Sequence, residues 1–146
     1  MKIIIQRVRK ASVCVQGKAV GSINNGLLLL VGIKKGDTKK QAQWLAEKAV
    51  SLRIFDDEDG KMNTSLDDVK GSLLVVPNFT LYADTTSGNR PGFGAAEAPG
   101  KAKKMFENLV EMLRKSINQP VETGQFGANM DVELVNDGPV TIILEK

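Results

Sequence analysis

The spacing of apolar and polar positions changes along the chain, and each change marks an element. Residues 3–8 and 11–15 are apolar and β-branched, which predicts two strands. Gln16-Gly17-Lys18 predicts a turn and residues 20–23 a third strand. Asn24-Asn25-Gly26 is a strong turn signal, and residues 27–33 read as a buried strand. The spacing then becomes helical. Ala42, Leu45, Ala46, Ala49 and Leu52 share one face, and Asp37 or Thr38 stands where a cap is needed. Trp44 lies at the edge of that stripe and reads as packing.

Ile54-Phe55 leads into Asp56-Asp57-Glu58-Asp59-Gly60, a run faintly similar to a calcium loop. It lacks the alternating ligand positions and the terminal Glu, so it reads as a solvated turn. Residues 73–81 predict a strand interrupted by Pro77. Residues 84–99 are rich in Gly, Thr and Pro and predict a loop. Pro99 suits the first turn of a second helix, with Ala102, Met105, Phe106, Leu109, Met112 and Leu113 on its apolar face. Met130, Val132 and Leu134 alternate with Asp131 and Glu133, which is the period of a strand. Residues 140–144 predict another, and Asn136-Asp137-Gly138-Pro139 reads as a tight turn between the two. The order of strands, helix, strand, helix, strands predicts an α+β fold: a β-sheet-rich, barrel-like single domain over residues 1–146 with two helices packed against it.

Composition narrows the chemistry. The 146 residues are 42% hydrophobic and 25% charged, enough to bury a core without disulfides or metals. There is no histidine, which excludes a Ser-His-Asp or Cys-His site and the usual histidine-containing zinc sites. An enzyme of this composition works by positioning, backbone dipoles, carboxylates, lysines or groups of its substrate. Cys14 is the single cysteine, sits between Val13 and Val15, and reads as a small packed residue rather than a reactive thiol. No signal peptide is visible, and the longest apolar run, residues 27–31, is far too short to cross a membrane, so a cytoplasmic protein is expected. Asn63-Thr64-Ser65 and Asn78-Phe79-Thr80 match the glycosylation pattern, which such a protein never uses. The formal charge is +3, mild enough to permit a polyanionic partner without demanding one. Lys101, Lys103 and Lys104 on the second helix could meet phosphates or form an ordinary solvated face.

Several short segments carry a resemblance. Gln6-Arg7-Val8, Ile54-Phe55 with Gly60-Lys61-Met62-Asn63, Val76-Pro77-Asn78-Phe79-Thr80-Leu81, Gly88-Asn89-Arg90-Pro91-Gly92-Phe93, Thr123-Gly124-Gln125-Phe126-Gly127-Ala128 with Met130, and Asn136-Asp137-Gly138-Pro139-Val140-Thr141 occur in this order across essentially the whole chain. Together they resemble the D-aminoacyl-tRNA deacylase family. The resemblance implies hydrolysis of the ester joining a D-amino acid, or glycine, to the 3'-terminal adenosine of tRNA; no cofactor and no metal are expected, since no metal-ligand cluster is visible in the sequence. It implies a homodimer acting on RNA, with neither DNA nor a membrane as partner. Backbone N–H groups at Phe79 and Thr80 would hold the oxyanion, helped by the ribose 2'-OH. The Thr80 hydroxyl is a competing nucleophile, although a threonine needs a base to activate it. The Gly138-Pro139 bond is cis in the family, and its loop enters the partner subunit's site to exclude L side chains. Arg7 would hold that loop. Asn78 and Met130 would border the substrate.

The chain departs from the family at one point that bears on the site. Pro77-Asn78 stands where Ser-Gln is usual, which removes a hydroxyl and a backbone N–H and shortens an amide. Gly92 also stands where a serine is common. The altered pair leaves open a deacylase with relaxed stereochemistry. A non-catalytic RNA-binding dimer is the reading from another class, against which the intact Gly138-Pro139 segment argues.

Overall fold

A computed structural model describes residues 1–146. The strands are β1 (Lys2–Val15), β2 (Lys18–Ile23), β3 (Gly26–Gly32), β4 (Phe55–Asp56), β5 (Met62–Thr64), β6 (Ser72–Pro77), β7 (Val121–Thr123) and β8 (Asp131–Glu145), and the helices are α1 (Lys39–Ser51) and α2 (Pro99–Ser116). The predicted α+β class is borne out. Six strands form one sheet in the order β2-β1-β3-β6-β7, with β8 on the other side of β1. β3–β6 and β6–β7 are parallel pairs; β1 runs antiparallel to β2, β3 and β8. The sheet curls far enough for β2 to approach β6 and β7: a Cβ built on Gly21 would lie 3.0 Å from the Thr123 carbonyl oxygen and 3.1 Å from Leu74.

Alternation along the strands divides the core in two. Ile3, Ile5, Leu27, Leu29, Val31, Leu73 and Val75 face the helices, where Leu45, Ala49, Phe106, Leu109 and Leu113 meet them. Val8, Ala11, Val13, Ile23, Leu28, Leu74 and Val76 point the other way, into the curl. Strict alternation from Val8 would send Ala11 and Val13 to the opposite face. The pairing of β1 with β8 shifts between Val8 and Lys10, and that irregularity returns them to the same interior.

The prediction differs in three places. The first two strands are one, because β1 runs unbroken past Arg9 and Lys10, both exposed. The last two are also one: β8 pairs with β1 from Asp131 to Glu145 and absorbs the expected turn as a bulge. Between the pairs Val8↔Asn136 and Gln6↔Thr141, β8 advances five positions while β1 advances two. Asp137, Gly138 and Pro139 are thus pushed out of the ladder. The strand expected over residues 73–81 stops at Pro77, and Phe79–Tyr82 forms a 3-10 turn. Pro77 has no N–H to continue a ladder, and Asn78 caps the turn with its side chain. α1 begins after Thr38, whose N–H donates to Gln41 Oε1 at 2.8 Å, while Asp37 accepts the Lys34 N–H at 2.7 Å. The acidic run closes the β4–β5 hairpin: Asp57 Oδ1 accepts the N–H groups of Asp59 and Lys61. No helix is long and apolar enough to cross a membrane.

Candidate active site

Where the parallel strands β3 and β6 end side by side, a cavity of about 770 Å³ opens. Leu30, Val31 and Ile33 line it from β3 and the residues just beyond, and Val76, Pro77, Asn78 and Phe79 from the end of β6. The start of α2 supplies Ala98, Pro99 and Ala102, and the segment after β7 supplies Phe126, Ala128 and Met130. Lys35 and Glu97 are the charged residues in its wall. The lining is otherwise largely apolar, as in pockets that take a planar or aliphatic group and orient it with a few polar contacts. Gly124 makes room for this arrangement: a Cβ there would lie 2.8 Å from Met130 Sδ.

Asn78 is pinned to β3, its N–H donating to the Val31 carbonyl at 2.7 Å. Its side-chain Oδ1 accepts from the Thr80 N–H at 3.2 Å and from the Thr80 hydroxyl at 2.5 Å. The oxygen beside the Thr80 hydroxyl is therefore an amide oxygen, which holds a proton but does not remove one. No carboxylate or amine bonds that hydroxyl, so the geometry does not supply the base that a threonine nucleophile requires. Phe79 projects into the open, 58% exposed, and meets Phe93 edge to face with ring centroids 5.0 Å apart. Tyr82, at the end of the 3-10 turn, is buried with the ammonium groups of Lys2 and Lys34 over its ring, 5.0 and 5.9 Å from the centroid. Burial pushes its hydroxyl above the ordinary tyrosine range, so it stays protonated.

A second cluster lies at the β8 bulge. Arg7 is 5% exposed. Its Nε donates to the Asp137 carbonyl at 3.1 Å, and its Nη1 donates to the Ile54 carbonyl at 2.8 Å and to Asp56 Oδ1 at 3.0 Å. Asp137 is also paired with Arg9 at 3.1 Å. The Gly138-Pro139 peptide bond is cis, and both residues are exposed. Asn136 closes the bulge, its Oδ1 accepting the Val140 N–H at 2.9 Å. Gly138 has φ +126°, and a Cβ there would lie 2.8 Å from Val140 Cγ2 and 3.2 Å from Arg7 Nη2.

The seven residues singled out from the sequence therefore fall into two groups. Asn78, Phe79 and Met130 line the cavity, and Thr80 adjoins it through Asn78. Arg7, Gly138 and Pro139 stand together at the bulge and do not line the cavity of their own chain. Sequence reasoning missed Phe93 as the partner of Phe79, although it belongs to the segment 88–93. It also missed Asp56 as a partner of Arg7, because nothing local links positions 49 residues apart.

A curled sheet backed by two helices, with an apolar cavity at the carboxyl ends of the adjacent parallel strands β3 and β6, defines the α+β class of this protein. A model of the D-Tyr-tRNA(Tyr) deacylase family matches residues 4–145, and the chain belongs to that family. It is 56% identical over all 146 residues to the D-aminoacyl-tRNA deacylase of Thermomicrobium roseum, covering 94% of that protein. It is 54% identical to the D-aminoacyl-tRNA deacylase of Thermosipho africanus, again over its whole length and 97% of the relative. Among solved structures, a c-Myc DNA unwinding element binding protein superposes with a TM-score of 0.95 at 39% identity, covering 100% of this chain and 99% of that one. A probable eukaryotic D-amino acid tRNA deacylase superposes at 0.83 with 15% identity, covering 98% and 97%, and shares the fold.

Proposed function

We propose that this protein hydrolyses the ester bond of D-aminoacyl-tRNA and of glycyl-tRNA mischarged on tRNA(Ala), releasing the amino acid and free tRNA. One observation carries the reading: in a chain that matches the deacylase family from end to end, the Asn78-Phe79-Thr80 segment stands at the mouth of a largely apolar cavity. The cavity takes the 3'-terminal adenosine, with Phe79 and Met130 in its wall. The Phe79 and Thr80 N–H groups stabilise the oxyanion, and the attacking group is water. An activated ester needs little more than placement and a charge-stabilising pocket, which accords with a chain that lacks histidine. Asn78 Oδ1 yields the Thr80 N–H to the substrate's carbonyl oxygen when the ester binds. No metal or cofactor takes part.

Selection for D-aminoacyl groups falls to the Gly138-Pro139 loop of a second subunit. The loop is exposed, is held from behind by Arg7, and does not line its own chain's cavity, which supports its acting in a partner's site. Val135 and Ile143 expose apolar surface on the same strand, as a dimer face would. Main-chain carbonyls of the loop collide with an L side chain and pass a D side chain or glycine. The protein acts in the cytoplasm, on RNA rather than DNA.

The test is loss of ester from D-tyrosyl-, L-tyrosyl- and glycyl-tRNA against an enzyme-free control, alongside a mass measurement of the assembly. Loss from the D and glycyl substrates with the L ester spared is the expected result. Loss of all three identifies a relaxed filter, with Pro77 and Asn78 the first suspects. No loss from a folded dimer leaves an RNA-binding protein without the activity.

A further inference from the structure

Two elements carry a large positive excess: β1, whose Lys2, Arg7 and Arg9 are paired with Glu145, Asp56 and Asp137, and α2. α2 carries Lys101, Lys103, Lys104, Arg114 and Lys115 against Glu107 and Glu111, an excess of three positive charges that equals the formal net charge of the whole chain, +3. Those charges form one continuous exposed arc of the helix. At 100° per residue, Lys103, Glu107, Glu111 and Arg114 fall on one side of the helix. They neutralise one another there, Lys103 reaching Glu107 at 4.0 Å and Arg114 reaching Glu111 at 3.1 Å. Lys104, Lys115 and Lys101 follow over roughly the next 80° of the same exposed surface, beside Glu111 and with Asn108 among them. All three lysines are exposed, and none forms an ion pair or a hydrogen bond. The row is about 21 Å long at 1.5 Å per residue. It starts where α2 enters the cavity wall through Ala98, Pro99 and Ala102.

We infer that the face of α2 bearing Lys101, Lys104 and Lys115 is the track for the substrate's RNA backbone as it leaves the cavity. The inference rests on the proposed deacylase reading and adds to it the surface that holds the nucleic acid. Three properties fit a polyanion: the ammonium groups are unpaired, they lie in a line rather than a cluster, and the line runs outward from the proposed site of the terminal adenosine. A lysine row reads no bases, so the track favours RNA of any sequence and contributes through counterion release.

The experiment compares the protein, a Lys101→Gln/Lys104→Gln/Lys115→Gln variant, and a Lys18→Gln/Lys40→Gln/Lys61→Gln variant that loses equal charge from other exposed positions. Each is assayed on D-tyrosyl-tRNA and on the D-tyrosyl ester of adenosine, which has no phosphate. For the α2 variant, kcat/KM on the tRNA falls tenfold or more, through KM. The slope of log kcat/KM against log salt flattens by roughly 2–3, as for three phosphate contacts. Hydrolysis of the adenosine ester is unchanged, and the other variant behaves as the parent on both substrates. Equal loss in the two variants means that net charge alone attracts the RNA and overturns the track. So does an α2 variant that is unaffected, or one that loses equally on the adenosine ester. If the parent cleaves neither ester, the deacylase reading fails; filter binding of uncharged tRNA to the three proteins then decides the track separately.

Discussion

The side-chain oxygen of Asn78 accepts both hydrogens that Thr80 can donate, the N–H at 3.2 Å and the hydroxyl at 2.5 Å. A single amide thus sets the conformation of the residue to which catalysis is assigned, and it leaves the threonine oxygen without a base. Thr80→Val is therefore expected to keep kcat/KM within about tenfold of the parent, whereas loss of an essential nucleophile costs about 10⁴-fold or more. Steady-state deacylation of D-tyrosyl-tRNA measures this, and a 10⁴-fold loss would restore the nucleophile.

Asn78→Ala removes the acceptor that caps the 3-10 turn. A cost of about 1 kcal/mol in unfolding free energy is expected, the usual scale for a lost side-chain cap. Asn78→Asp, which keeps an acceptor in place, should recover most of it. Urea unfolding of the two variants decides between a cap and a passive neighbour.

Arg7 joins the β8 bulge to the β4–β5 hairpin through two carbonyls and a carboxylate. Arg7→Lys keeps the charge but cannot reach three acceptors in the planar fork of a guanidinium. The expected outcome is a loss of about 1.5–3 kcal/mol in stability, the range for charged hydrogen bonds, and a reduced ratio of D to L ester hydrolysis. An unchanged D-to-L ratio in a folded variant would separate Arg7 from selectivity.

Gly138→Ala places a Cβ within 2.8 Å of Val140 Cγ2 at a backbone φ of +126°. The bulge must shift to admit it, at a cost of about 1–3 kcal/mol for a non-glycine residue in that conformation. Deacylation of glycyl-tRNA, which needs no chirality filter, should fall less than the discrimination against L-tyrosyl-tRNA. Parallel assays on the two esters check the difference.

Acid sensitivity follows from Asp57, Asp68 and Asp84. Each carboxyl is held below the usual carboxylate value, led by hydrogen bonds from the Lys61 N–H, the Ser65 side chain and the Thr86 N–H respectively. A depressed folded-state pKa contributes stability above the unfolded value, about 3.9, that is lost as pH falls through the folded one. With no histidine to titrate, denaturant midpoints should hold between pH 5.5 and 8 and fall below pH 4. Asp84→Asn should flatten part of that fall.

The sheet and helices were legible wherever period and turn chemistry agreed. β3, α1 and α2 lie within a few residues of their predicted bounds, because Leu27, Leu45 and Leu109 are core residues flanked by strong punctuation. The continuity of β1 and of β8 was not legible. Arg9 and Lys10 look like a break, and Asn136-Asp137-Gly138-Pro139 looks like a hairpin turn, until each strand is seen to supply the other's ladder. At the site, Asn78, Phe79 and Met130 were named from family likeness and do share a cavity. The capture of Thr80 by Asn78 depends on a side-chain rotamer that period and composition do not encode. The Arg7–Asp56 pair depends on a hairpin returning from 49 residues away.

The ladder between β1 and β8 joins residues from 117 to 143 positions apart, Cys14 with Asp131 at one end and Lys2 with Glu145 at the other. While the chain is being made, β1 can pair with β2 and β3 early, but its other edge stays bare until β8 has left the ribosome. Such an edge is a template for pairing with other chains. Completion of the sheet is therefore a late event, and the bulge carrying Gly138 and Pro139 takes shape only with it. A nascent or truncated chain lacking β8 can hold much of the helix-facing core and still lack the bulge to which selectivity is assigned under the proposed function.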